Sequence, residues 1–514
     1  MRGRRNTTNS NFKGAENIMT KINKAACIGG GVIGGAWAAR FLLGGIDVAM
    51  FDPHPEAERI VGEVLANAER AYAMMTMAPL PPKGKLTFVK SIEEAVQGAD
   101  WIQESVPERV DLKRGVITQI DAAADPKALI GSSTSGILPT DLQRDMKHPE
   151  RMFVAHPYNP VYLLPLAELV GGEKTSKETL EEAKARLATV GMKGVILKKE
   201  IEAFVGDRLL EAVWREGLWL IKDDICDTET LDDVIRYSFG MRWAQMGMFE
   251  TYRIAGGEAG MRHFIAQFGP CLSWPWTKLM DVVDLTPELV DKIADQSDAQ
   301  SGARGIRELE RIRDQNLVGI MHALKGGDEG RGWGAGKLLA EFEDYLWANA
   351  KKVDKNLGEA QPIRIIDTKV SAAWVDYNNH MTEHRYLQVF GDTSDGILRL
   401  IGVDLDYVRD GHSYYTVETH IRNLGEAKLG DALYSTCQVL SSDEKRLHVF
   451  STIYNKATNE AVATAEQMML HVDSKAGKAV SAPESVLSKL RAITEAHATL
   501  PKPEGVGRAV GQKR

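Results

Sequence analysis

The chain has 514 residues, 44% hydrophobic and 26% charged, which is ordinary globular material sufficient for roughly three domains. A net charge of −8 with a pI near 5.9 argues against general nucleic-acid binding, and no apolar run approaches the ~18–20 residues needed to cross a bilayer. The four cysteines, Cys27, Cys226, Cys271 and Cys437, lack metal-type spacing and read as free thiols of a reducing compartment, the cytoplasm.

Residues 1–20 are basic and polar without the apolar segment of a secretory signal. They read as a disordered tail, an upstream start before Met19, or a targeting extension. Ordered sequence begins with a strand-like run, Lys24–Ile28, that meets Gly29-Gly30-Gly31-Val32-Ile33-Gly34, a helical segment Val32–Leu43, and a second strand Asp47–Phe51 ending in Asp52. G-x-G-x-x-G between a strand and a helix is a dinucleotide signature: Gly29 permits the turn, Gly31 the approach of a pyrophosphate, and Gly34 close helix–strand packing. The helix N-terminus then faces the phosphates. Asp52, 18 residues beyond Gly34, is placed to accept hydrogen bonds from a ribose diol. Its charge would repel a 2′-phosphate, so NAD is expected rather than NADP.

An α/β alternation continues. A helix over Glu56–Met77 is broken by Pro79, Pro81 and Pro82. Strands follow at Leu86–Val89, Ala99–Glu104, Ala128–Ser132 and Met152–Ala155, then a helix at Ser176–Val190 and a strand at Lys193–Lys198. The pattern predicts a doubly wound, mostly parallel sheet over 21–200. Two loops at strand ends, Glu104–Lys113 and Ser132–Gly136, lie where such sheets bind ligands. The strand Met152–Ala155 delivers His156 into a loop held by Pro157 and Pro160, and Glu168 follows twelve residues later. An imidazole so placed can take a proton from a substrate hydroxyl, with a carboxylate on its other nitrogen fixing the tautomer. On this stretch alone, a core-edge histidine bonded to a backbone carbonyl is the alternative.

Gly29-x-Gly31-x-x-Gly34, Glu104-Ser-Val-Pro-Glu108, Ser132-Ser-Thr-Ser135, His156-Pro-Tyr-Asn159-Pro and Glu168 together resemble the 3-hydroxyacyl-CoA dehydrogenase superfamily, over about Lys21–Ala323. The resemblance implies a Rossmann domain followed by an all-helical domain, with His156 and Glu168 as the catalytic dyad. It also implies that Ser135 bonds the substrate hydroxyl, that Glu108 and Lys113 contact the cofactor, and that Asn159 lies near the substrate. One departure stands out. The family usually has Asn before Arg-Leu-Leu, where this chain has Asp207, which when ionised accepts hydrogen bonds but cannot donate them.

From 201 to 330 the pattern turns helical, as at Ile201–Lys222 and Leu231–Tyr237. Five of the ten tryptophans fall here: Trp214, Trp219, Trp243, Trp274 and Trp276. Packing of a helical core or a subunit interface explains such rings. The alternative is a wall for a quaternary ammonium group, for which Trp243, Phe249 and Tyr252 are the candidates. Within the superfamily the chain most resembles the L-carnitine 3-dehydrogenases, which implies L-carnitine, a small trimethylammonium 3-hydroxy acid, as substrate. The proline-broken stretch Thr76–Leu86 also departs from the region where acyl-CoA enzymes carry CoA contacts. A 3-hydroxyacyl-CoA or a gulonate-type sugar acid is the competing substrate class.

Residues 331–360 read as a linker with one helix, Leu338–Asn349, and a domain boundary inside Ala350–Pro362. Over 361–473 the periodicity changes: a strand at Ile363–Val370, a loop at Trp374–Thr382, a long helix at Glu383–Leu400, then strands at Ser413–Asn423, Ala432–Ser441, Arg446–Asn455 and Ala461–Val472. One helix wrapped by an antiparallel sheet is an α+β plan. Before the helix stands Trp374-Val-Asp376-Tyr-Asn378-Asn-His380-Met, where helix-end amides could polarise a thioester and Asp376 attack it or activate water. An Asx-rich cap is the alternative. This region resembles hotdog-fold acyl-CoA thioesterases of the 4-hydroxybenzoyl-CoA type. That likeness implies a catalytic Asp376, support from Asn378 and His380, a homodimer, and hydrolysis of a short acyl-CoA such as betainyl-CoA. A non-catalytic dimerisation module is the competing reading. Residues 474–514 read as a peripheral polar tail with one helical stretch.

Overall fold

The computed structural model describes residues 21–76, 78–274, 277–278, 283–302, 304–328, 330–349, 357–371, 374–404, 407–408 and 410–510. The tail 1–20, Met77, Trp276 and part of the expected linker lie outside the described residues. The chain divides into two compact units: the first runs up to Leu65 and resumes over Lys83–Trp214, and the second comprises Ala66–Pro82 and everything from Arg215 onward.

The first unit is an α/β layer structure. Its elements run β1 (Lys24–Ile28), α1 (Val32–Leu43), β2 (Asp47–Phe51), α2 (Ala57–Met75), β3 (Leu86–Phe88), α3 (Ile92–Val96), β4 (Trp101–Glu104), α4 (Val110–Ala123), β5 (Leu129–Ser132), α5 (Pro139–Leu142), β6 (Met152–Pro157), β7 (Leu166–Gly171), α6 (Lys177–Ala188) and β8 (Lys193–Ile196). The sheet order is β3-β2-β1-β4-β5-β6-β7-β8, every pair parallel except β6–β7. Helices on both faces explain why β4 and β5 are buried along their whole length. Ile28, Ile102, Ile117, Ile120, Ile130 and Met152 close one core layer, and Trp101 packs edge-on against Phe41 and Phe153.

The strand order reverses between β1 and β4, so their carboxyl ends open the crevice where α/β sheets bind ligands. The sequence expectation erred at β6. His156 and Pro157 are its last two residues rather than a loop, because a proline at a strand end removes no ladder bond that the sheet needs. The first helix after β8 is also shorter than the sequence suggests. α7 spans Gly206–Lys222, because Ala203 and Phe204 take left-handed backbone angles, φ 58° and 49°, which a helix cannot contain.

In the second unit α8 (Thr228–Val234), a π-helical turn at Ile235–Phe239, α9 (Gly240–Trp243), α10 (Met248–Ala255), α11 (Gly260–Phe268), α12 (Pro287–Ser301), α13 (Ile306–Lys325) and α14 (Gly334–Asn349) precede a sheet. α14 starts at Gly334, ahead of the helix expected at Leu338–Asn349 within the linker. The sheet elements are β9 (Ile363–Lys369), β10 (His412–Asn423), β11 (Ala432–Ser442), β12 (Arg446–Asn455), β13 (Ala461–Asp473) and β14 (Lys478–Ala479), with α15 (Glu383–Ile401) between β9 and β10. They pair antiparallel in the order β10-β13-β12-β11-β9, with β14 on β13. α15 turns Tyr386, Val389, Phe390, Ile397 and Ile401 inward at helical spacing.

The C-terminal segment is not a peripheral tail. Its helix α16 (Glu484–His497) buries Val486, Leu490, Ile493 and His497 in the same core as β11, β12 and α15. The His497 ring accepts the Val439 amide at Nδ1, 2.9 Å, and meets the Gln361 carbonyl through Nε2, 2.9 Å. The domain therefore extends well past residue 473.

Candidate functional site

The glycine turn fits a dinucleotide. Gly29 has φ +100°, and a side chain there would strike the Ser105 carbonyl at 2.6 Å; one at Gly34 would strike the Gly29 carbonyl at 1.9 Å. Those two glycines are required by the protein itself. Around Gly31 there is open space, so what it keeps clear is room for a ligand over the N-terminus of α1. Val32 is exposed and Ile33 half-buried at that same end. Asp52 is held toward the turn, its Oδ2 accepting the Gly30 amide at 2.6 Å and its Oδ1 the His54 amide at 2.7 Å. A carboxylate retains further acceptor positions for a ribose diol.

β6 and β7 create the central pair. In their antiparallel register His156 stands directly opposite Glu168, and His156 Nδ1 lies 2.9 Å from Glu168 Oε2. The two side chains are 4% and 5% exposed. Twelve residues in sequence thus become one rung of a ladder, where the sheet sets the spacing. Glu168 Oε2 also accepts the Tyr158 hydroxyl at 2.8 Å, and Oε1 accepts the amides of Val205 and Gly206, both at 3.1 Å. Burial raises the Glu168 carboxyl, but the donors from His156, Tyr158, Gly206 and Val205 outweigh it and hold the group below its ordinary range. It is an ionised orienter. The Phe204 ring, fully buried, packs 5.5 Å from the imidazole, so the left-handed turn at 203–204 both wedges the ring and aims two amides at the carboxylate.

Nδ1 being taken, Nε2 is the nitrogen free to act. Asp207 Oδ2 stands 3.5 Å from it, on a side chain 30% exposed. Burial, then the nearby charges of Glu168, Glu108 and Glu211, raise the Asp207 carboxyl against the opposing pull of His156.

The Ser132–Gly136 loop is fixed from the connection between β4 and α4. Glu108 Oε1 accepts the Thr134 hydroxyl and the amides of Ser135, 3.0 Å, and Gly136, 3.3 Å, leaving Ser135 exposed. Lys113 is 1% exposed, and its ammonium is spent on Glu104 Oε1 and the Val106 carbonyl, both 2.9 Å, and on Glu108 Oε2 at 3.3 Å. In this conformation Lys113 orders the two acids rather than presenting a charge to a ligand. Asn159 is exposed at the start of the β6–β7 connection. No role was assigned from sequence to Tyr158, Phe204 or the buried Glu104, although Glu104 and Tyr158 both lie within the motifs that carry the family resemblance.

The candidate aromatic wall lies in the second unit. Trp243 packs on Phe239, ring centres 4.8 Å apart, and Tyr252 stacks on Phe264 at 4.6 Å, while Phe249 is 68% exposed. Among the described residues none of Trp243, Phe249 and Tyr252 stacks on another. Phe239 and Trp243 lie four residues apart on one helical run, and Tyr252 and Phe264 lie on the successive helices α10 and α11.

Asp376 sits in an exposed closed turn. Its Oδ1 accepts the amides of Asn378, 2.9 Å, and His380, 3.2 Å, and those bonds, the His380 one foremost, hold it below the usual carboxylate range. His380 Nε2 lies 3.3 Å from Glu426 Oε2. The turn is pinned in front of α15 by the Met381 amide on the Ala427 carbonyl, 2.7 Å, and the Thr382 amide on the Trp374 carbonyl, 2.9 Å.

The sequence pattern of the 3-hydroxyacyl-CoA dehydrogenase NAD-binding domain matches residues 24–201, and that of the corresponding C-terminal domain matches 204–295. The chain belongs to the 3-hydroxyacyl-CoA dehydrogenase family. NAD is the cofactor, and residues 370–490 match the thioesterase-like superfamily. A Rhizobium sp protein named L-carnitine dehydrogenase/betainyl-CoA thioesterase is 81% identical over 496 residues, 96% of this chain and all of that one. A Pseudomonas putida protein named L-carnitine dehydrogenase is 48% identical, covering 61% of this chain and 98% of its own. Among solved structures, the 5-formyl-3-hydroxy-2-methylpyridine 4-carboxylic acid 5-dehydrogenase, described as an NAD+-dependent dismutase, is 28% identical. It superposes with a TM-score of 0.50 over 59% of this chain and 99% of its own.

Proposed function

We propose that this chain oxidises L-carnitine to 3-dehydrocarnitine with NAD+, and that its C-terminal domain hydrolyses a short acyl-CoA, betainyl-CoA. The observation that carries the first part is the cross-strand rung in which Glu168 occupies His156 Nδ1 and leaves Nε2 for substrate. NAD+ supplies the acceptor for the hydride leaving C3. His156 Nε2 takes the hydroxyl proton, so the alcohol carbon becomes a ketone and one proton remains on the imidazole. Glu168, already ionised, stabilises that imidazolium through Nδ1–H. Ser135, exposed on a loop that Glu108 fixes, bonds the substrate oxygen. The names of the relatives favour carnitine over a 3-hydroxyacyl-CoA or a sugar acid.

In the C-terminal domain Asp376 is the residue we assign to thioester cleavage, with its Oδ1 bonded to the turn and its Oδ2 available. The turn is exposed, which suits a site closed by a second copy. Leu209, Leu210 and Trp214 on α7 are each more than half exposed, as are Tyr237, Met241 and Ile254 in the second unit. Apolar exposure on that scale favours a homodimer. We assign the protein to the cytoplasm, where Cys27, Cys226, Cys271 and Cys437, all free, stay reduced.

The test is NADH formation by the full-length protein with L-carnitine, 3-hydroxybutyryl-CoA and gulonate, alongside CoA release from betainyl-CoA. Turnover of L-carnitine above the other two supports the reading, and preference for either rival removes it. Asp376→Ala should abolish CoA release while NADH formation continues; unchanged CoA release would remove Asp376 from its assigned role.

A further inference from the structure

We propose that Asp207 selects the cationic substrate: its carboxylate holds the trimethylammonium group beside the imidazole that accepts the hydroxyl proton. The inference rests on the carnitine reading above and locates its specificity in one side chain of the first unit. Nε2 of His156 is the atom that must meet the hydroxyl, and the charged group facing it is Asp207 Oδ2 at 3.5 Å. His156 is enclosed at 4% exposure, whereas Asp207, at 30%, remains open to an incoming ligand. No hydrogen bond from the described residues commits its carboxylate. Glu168, Glu108 and Glu211 add negative potential at Asp207, opposed by His156.

The shape of the substrate completes the argument. In L-carnitine one methylene separates the carbinol carbon from the quaternary nitrogen, so bond lengths and staggered torsions put that nitrogen about 3–4 Å from the hydroxyl oxygen. A hydroxyl bonded to Nε2 can therefore bring the ammonium to about 4–5 Å from Asp207 Oδ2, which is van der Waals contact through its methyl groups. A quaternary ammonium has no N–H to donate, so it is recognised by negative potential, and a carboxylate supplies a full charge where a carboxamide supplies a dipole. The carboxylate end of carnitine is repelled from the same spot, which fixes the direction in which the substrate lies. This gives a use to the departure seen in the sequence, Asp where the family usually carries Asn.

The experiment compares kcat/KM for L-carnitine with that for its uncharged tert-butyl isostere, using full-length wild type and Asp207→Asn with saturating NAD+. Asp207→Asn should lower kcat/KM for L-carnitine about 10- to 100-fold, mostly through KM, and lower the preference for carnitine over the isostere by the same factor. An equal loss on both substrates, or a preference within about twofold of wild type, overturns the inference. Asp207→Ser gives a second substitution in case the first folds poorly. Calorimetric binding of L-carnitine to the protein–NADH complex reads the charge contact without turnover: weaker binding to the variants supports the inference, equal binding overturns it. Wild type that binds L-carnitine but does not oxidise it removes the carnitine reading while the binding comparison still decides the role of Asp207.

Discussion

Replacing Glu168 by Gln tests how the imidazole is held. The carboxylate takes four donors: His156 Nδ1 and the Tyr158 hydroxyl on Oε2, and the Val205 and Gly206 amides on Oε1. A carboxamide has one oxygen to offer. If it faces the two amides, its NH2 confronts Nδ1, which must then accept, and the ring proton moves to Nε2. The nitrogen that should receive the substrate proton is then already protonated. If the oxygen faces His156 instead, two buried amides lose their acceptor, at about 1–3 kcal/mol. Either way the imidazolium loses its counter-charge. The wrong tautomer and the lost charge together should lower kcat by about 10²–10⁴, or about 3–5 kcal/mol of barrier. Steady-state NADH formation from L-carnitine gives kcat, NAD+ titration should leave its KM within about twofold of wild type, and a thermal melt verifies folding. A kcat within about threefold of wild type in folded protein would refute the idea that Glu168 orients the base.

Three more outcomes follow from the geometry. Gly31→Ala has open space in the protein and should fold normally with NAD+ affinity lowered about tenfold or more, whereas Gly34→Ala, meeting the Gly29 carbonyl at 1.9 Å, should reduce soluble folded protein; circular dichroism and NAD+ titration separate the two. Tyr158→Phe removes one donor from Glu168 and should cost about 1 kcal/mol of stability with a modest fall in kcat, read by denaturant unfolding and initial rates. Asp392 is raised to about 7, by burial first and then by Asp395, and its Oδ2 is enclosed without a hydrogen-bond partner among the described residues. The folded protein therefore holds a proton there that the unfolded chain has already released. That linkage makes stability fall as pH rises from about 4 to about 7, with no further loss above. Asp392→Asn should stabilise the protein at pH ~8, by about 1–3 kcal/mol, and scarcely at pH ~4; equal melts of variant and wild type at the higher pH would contradict this.

The glycine turn with Asp52 was legible because its chemistry is local: a strand, three glycines and a helix lie within one short stretch. The His156–Glu168 pairing was reached from residue types and resemblance, but its geometry was not. Pro157 and Pro160 suggested a loop, and nothing in the sequence announces that β6 returns antiparallel in an otherwise parallel sheet. The amides of Val205 and Gly206 depend on left-handed angles at Ala203 and Phe204, residues with no preference for that conformation, so tertiary packing chose them. A helical stretch was expected near the C-terminus, but its burial was hidden by polar composition, although Val486, Leu490, Ile493 and His497 lie on one face at helical spacing. The rings of Trp243, Phe249 and Tyr252 form a dense cluster in sequence, but their partners were not legible there: Trp243 pairs with Phe239, Tyr252 with Phe264, and Phe249 is 68% exposed.

The proton acceptor itself is tested most directly by chemical rescue. His156→Ala should lower kcat/KM for L-carnitine about 10³-fold, and free imidazole entering the space left behind the Glu168 carboxylate should restore part of the lost rate in proportion to its concentration. Near-wild-type oxidation by the variant without imidazole would contradict the account.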